Sequence, residues 1–147
     1  MKTSILVLLT ACLALMSCGT KTQSDKQQTA ASAEQPTDCV EVLYFHGKQR
    51  CATCMAIEQN TKALIDSLYA DQVAGGQLVF KIIDISDSAN ADLAEKYEVT
   101  WSSLFITRHK GGQETTENLT QFAFANARKA PADFKAEVTR KINEILK

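Results

Sequence analysis

A Cys-x-x-Cys pair, Cys51-Ala52-Thr53-Cys54, constrains this chain more than any other feature, because it follows the apolar run Val42-Leu43-Tyr44-Phe45 directly and opens an amphipathic stretch. The run is strand-length and the stretch has helical spacing, so the two cysteines belong to a strand-to-helix junction. Three-residue spacing in a helix sets Cys51 and Cys54 on one side within a turn, close enough for a disulfide with little backbone movement. Cys51 is expected at the exposed helix end. Unpaired N–H groups and the helix dipole favour a thiolate there, each by about 0.3–1 kcal/mol. The alternative is a pair of unreactive core cysteines.

The remaining punctuation fixes the order of elements. Val40 to Phe45 reads as a buried strand, and Cys54, Ile57, Thr61, Leu64, Ile65 and Leu68 recur on one face of a helix running to about Ala70. Gly75-Gly76 breaks the chain before a second buried strand, Leu78 to Ile85. Ser86 to Ser88 supplies caps for a short helix through Ala94 and Tyr97. Ser103 to His109 is a third strand, and Lys110-Gly111-Gly112-Gln113 turns it into Glu114 to Leu119. Pro131 suits a first helical position, and Phe134, Val138, Ile142 and Ile145 form the apolar stripe of a closing helix. The expected order is strand, helix, strand, helix, hairpin, helix.

The N-terminus carries different information. Lys2 followed by the apolar segment Ile5 to Leu15 has the form of an export signal, too short to remain as a membrane span. It ends in Leu15-Met16-Ser17-Cys18, which looks like a bacterial lipobox, with cleavage before a lipidated Cys18; an ordinary signal with a coincident cysteine is the alternative. This divides the chain into a signal peptide, residues 1–17, a lipidated N-terminus and flexible linker, residues 18–38, and one domain, residues 39–147. A linker of about 20 residues has an r.m.s. reach of about 25 Å, which would keep the domain close to the lipid surface. The expected location is the bacterial cell envelope, on the periplasmic side or the surface, and Gly19 after Cys18 resembles the outer-membrane sorting pattern. The formal charge of −1, without a basic cluster, argues against nucleic acid as a partner.

The element order with Cys-x-x-Cys after its first strand resembles the thioredoxin-like superfamily across residues 40–147. The segment Asp84, Asn90, Leu93-Ala94 and Lys96-Tyr97-Glu98-Val99 is similar to the stretch ahead of that family's substrate loop. The resemblance implies an α/β fold with a central mixed sheet of about four strands flanked by helices. The string Tyr44-Phe45-His46-Gly47 through Arg50-Cys51-Ala52-Thr53-Cys54, with Ile57-Glu58, further resembles small bacterial thioredoxin-fold proteins known as the ArsF-type subunit of nitrophenyl-compound reductases. That likeness implies electron supply to a nitroaromatic reductase and a membrane thiol-electron carrier or reductase subunit as partner.

On this reading the chain is a thiol–disulfide oxidoreductase acting on a protein disulfide or dithiol, with Cys51 the nucleophile, Cys54 the resolving thiol, and neither cofactor nor bound metal. Four further residues are candidates for support. Arg50 replaces the family's tryptophan and adds a cation beside Cys51. His46 either substitutes for the buried acid that is missing near Leu43 and Tyr44 or is a loop residue. Ser102, or Ser103, stands where the family has a cis-proline, and a cis bond before serine costs about 2.5–4 kcal/mol, so a trans connection is expected. Trp101 belongs either to the partner surface or to the core. Cys39 lies roughly 20 Å from His46 along an extended strand, too far to resolve a Cys51 intermediate. Two other functions compete: carriage of a thiophilic ion such as Cu(I) by Cys51, Cys54 and His46, and a redox-inactive scaffold that docks a membrane complex.

Overall fold

The structure, a computed structural model, describes residues 38–147. The export signal, Cys18 and all of the linker but its last residue lie outside the described residues. Four strands form one mixed sheet: β1 (Cys39–His46), β2 (Leu78–Asp84), β3 (Ser103–Lys110) and β4 (Gln113–Asn118), in the order β2-β1-β3-β4. β2 runs parallel to β1, whereas β3 and β4 are antiparallel to their neighbours. Among the described residues five α-helices accompany them: α1 (Ala52–Leu68), α2 (Ala70–Ala74), α3 (Ala91–Lys96), α4 (Thr120–Asn126) and α5 (Pro131–Ile145). This is the α/β fold, a central mixed sheet of four strands flanked by helices, that the resemblance implies. No helix among the described residues is long and apolar enough to cross a membrane.

Strand alternation divides the core into two. Val40, Val42 and Tyr44 of β1, with Leu104 and Ile106 of β3, face Ile57, Leu64 and Ile65 of α1 and Phe134, Val138 and Ile142 of α5. Leu43 and Phe45 face the other way, onto Ile83, Val99 and Phe105, with Leu93 and Tyr97 packed over them. β1 is therefore buried on both sides, and its apolar run is continuous for that reason.

Three expectations need correction. The closing hairpin does not lead straight to the last helix: α4 intervenes, started by the Asn118 side chain accepting the Thr120 N–H at 2.9 Å, and it sets Leu119, Ala123 and Ala127 into the core. Leu68 is 57% exposed, because α1 ends there; its neighbour Tyr69 turns inward, its hydroxyl donating to the Thr139 carbonyl at 3.2 Å and to Asn143 Oδ1 at 2.9 Å. β2 is half-buried rather than buried. It is the sheet edge, and Ile82 is 44% exposed.

Two turns depend on backbone that only some residues adopt easily. Gly111 and Gly112, both at positive φ, make the β3–β4 turn as predicted. Helix α3 ends in a Schellman motif, with Glu98 N–H to the Glu95 carbonyl at 2.9 Å and Val99 N–H to the Ala94 carbonyl at 2.8 Å. Its left-handed position is occupied by Glu98, φ 52°, where glycine is the usual residue.

Candidate redox site

The loop after β1 brings Cys51 to the start of α1, where it is the N-cap with extended backbone angles, φ −79° and ψ 161°. Its Sγ accepts the Cys54 N–H at 3.0 Å, so the sulfur does what a serine or aspartate oxygen ordinarily does for the first turn. Cys51 and Cys54 form a disulfide with Cα atoms 5.0 Å apart. The two sulfurs are not equivalent in access. Cys51 is exposed at the helix end, and Cys54, one turn in, is 6% exposed. An attacking thiolate therefore has a path to Cys51 and little room at Cys54.

Behind the pair stands Tyr44. Its hydroxyl donates to the Cys54 carbonyl at 2.7 Å. Burial pushes the phenol up, against the opposing effects of the Ser102 hydroxyl and of Arg50. The group is thus a protonated donor near neutral pH, in the region where the resemblance implied an acid. A buried carboxylate does exist in β1, but elsewhere: Glu41, 3% exposed, faces away from Tyr44. Lys81 and His109 hold it, the latter through Nε2 at 3.1 Å.

The supporting candidates separate. Ser102 is buried just ahead of β3, and its hydroxyl is among the groups that oppose the rise of the Tyr44 phenol. Arg50 turns onto Glu58 of α1 and lies over the Tyr44 ring, 6.0 Å from its centroid, so its cation beside Cys51 is partly compensated. His46 stays local. Its Nδ1 bonds the Gly47 carbonyl at 3.1 Å, and among the described residues no three His, Cys, Asp or Glu side chains converge as metal ligands. Trp101 is a surface residue, 58% exposed, its ring 5.0 Å from that of Phe124. Cys39 is buried at the far end of β1 from His46, as the strand length predicts.

Sequence reasoning missed Glu58, Tyr44's role and Phe124. The Arg50–Glu58 pair leaves no local spacing signal, since it joins a loop to the second turn of a helix. Phe124 belongs to the helix that was not anticipated.

No protein-family model and no curated protein match the chain. Among solved structures it is similar to thioredoxin-2 of a malaria parasite, described as a component of protein secretion machinery, at 18% identity over 70% of this chain and 84% of that one, TM-score 0.45. A thioredoxin-like protein from Clostridium perfringens matches at 12% identity over 76% and 75% of the two chains, TM-score 0.49. A thioredoxin from Thermus thermophilus matches at 15% identity over 73% of each, TM-score 0.46.

Proposed function

We propose that this protein is a thiol–disulfide oxidoreductase of the cell envelope, held at a membrane by a lipid on Cys18 and exchanging electrons with a dedicated protein partner. One observation carries the redox reading: a Cys51–Cys54 disulfide at a helix start, with one sulfur exposed and the other buried behind it. In the reducing direction the Cys51 thiolate attacks a partner disulfide, forming a mixed disulfide and releasing one partner thiol. Cys54, as thiolate, then attacks the Cys51 sulfur, restoring the intramolecular disulfide and freeing the second partner thiol. Two electrons pass from the pair to the partner, and a dithiol donor must return them. The oxidising direction is the reverse of each step. The anchor and the envelope location rest on the sequence around Cys18, and the nitroaromatic reductase partner rests on the family resemblance alone.

Insulin reduction by dithiothreitol tests the chemistry. Wild-type protein is expected to accelerate it and Cys51→Ser to abolish the acceleration, whereas Cys54→Ser should accumulate a mixed disulfide visible on a non-reducing gel. Equal turnover by Cys51→Ser would remove Cys51 from the role given to it. Radiolabelled palmitate incorporated into wild type but not into Cys18→Ala would support the anchor, and incorporation into neither would remove it.

A further inference from the structure

A groove of about 640 Å³ opens between the C-terminal end of α3 and the start of α4, with Trp101, Phe124, Gln121 and Asn118 among its walls. Glu98 is the one charged residue lining it. Three observations meet there. The exposed Trp101 ring lies against the half-buried ring of Phe124, so the groove has an aromatic wall. Among the described residues the Glu98 carboxylate has no ion pair, although Lys96, two residues earlier, is engaged by Glu114. Glu98 also occupies the left-handed Schellman position, so the local backbone gains nothing from a glutamate there.

We propose that this groove receives a cationic side chain, best an arginine, from an extended segment of the disulfide-bearing partner. A guanidinium is planar and weakly hydrated, can stack on an aromatic face, and can hydrogen-bond a carboxylate at its edge. An aromatic pair beside one uncompensated carboxylate is complementary to that group and repels an acidic side chain. The groove lies at the end of the sheet from which the cysteine loop leaves: Ser103, in its lining, pairs with Phe45, one residue before the end of β1. A partner cysteine at Cys51 thus has its flanking residues at the same end of the sheet as Trp101. The identity of the occupant as a disulfide protein rests on the redox reading; the recognition of a cation does not.

Trp101 is the only tryptophan of the chain, so its emission reports the groove directly. Oxidised wild-type protein is titrated with a cysteine-free extended peptide carrying a central arginine, and with citrulline, norleucine and glutamate counterparts. The arginine peptide is expected to shift the emission and to bind about tenfold more tightly than the citrulline peptide, with the difference fading at high salt. Glu98→Gln, which preserves size and shape, should erase that preference. A preference that survives in Glu98→Gln, equal response to the norleucine peptide, or no response to the arginine peptide would each overturn the proposal. Because the peptides contain no thiol, these outcomes are independent of the insulin assay, and failure of one reading is distinguishable from failure of the other.

Discussion

At the residue scale the site depends on a division of labour between two sulfurs and one phenol. Cys51 caps the helix and faces solvent, Cys54 sits behind it, and Tyr44 holds the Cys54 carbonyl from below. Burial keeps the phenol protonated, so Tyr44 is a hydrogen-bond donor and not a base in the neutral range. Tyr44→Phe is therefore expected to cost about 0.5–1.5 kcal/mol of stability in a urea titration, the net worth of one buried hydrogen bond to a carbonyl that keeps its helical partner. The pH profile of Cys51 alkylation should stay where it is. A displacement of that profile by a pH unit or more would show that Tyr44 takes part in proton transfer. The cysteine pair itself was legible in the sequence, because strand, loop and helix follow one another without interruption. The phenol was not, since Tyr44 reads locally as one more apolar position in a buried strand.

Elements were recognisable where their apolar period was long and failed where it was short. α5 carries Phe134, Val138 and Ile142, all completely buried, on a stripe that needs no tertiary information. α4 is only seven residues, and two of the three apolar residues buried in it or at its caps, Ala123 and Ala127, are alanines beside Leu119, too small a stripe to announce a helix. The misreading of β2 has a different origin. Val79 to Ile83 reads like a central strand, and only the sheet order reveals that one side of it has no neighbour among the described residues. Helix α3 offers a test at this scale. A left-handed L-residue costs about 1–2 kcal/mol, partly offset by the chain entropy that glycine loses on folding, so Glu98→Gly should stabilise the domain by about 0.5–1 kcal/mol. Thermal unfolding followed by circular dichroism checks this, and a lowered midpoint would mean that the glutamate side chain contributes contacts that outweigh its strain.

For the whole molecule the tyrosines set an upper limit in pH. Tyr44, Tyr69 and Tyr97 are all three tyrosines of the chain, and burial raises each of them above the usual value near 10. The unfolded chain loses those protons first as pH rises, so the stability they contribute is complete below about pH 10 and declines above it. Ultraviolet titration of native protein should show its tyrosinates forming at higher pH than in the unfolded chain, and tyrosines ionising at the same pH in both states would contradict their raised values. At the acid end, burial raises Glu114, but Lys96, His109 and Tyr97 together outweigh it and hold the carboxylate below its usual value. Its contribution is present above about pH 4.5 and is lost as pH falls through the depressed value.

Strand β1 has one more consequence. It begins at Cys39 and ends at His46, five residues before Cys51, so the backbone enters the sheet roughly 25 Å from the disulfide end. Asp38, the first described residue, stands at the opposite end of β1 from the sulfurs. Protein immobilised through its N-terminus on an electrode or a bead should thus present its disulfide outward, available to soluble partners and held back from the surface that carries it.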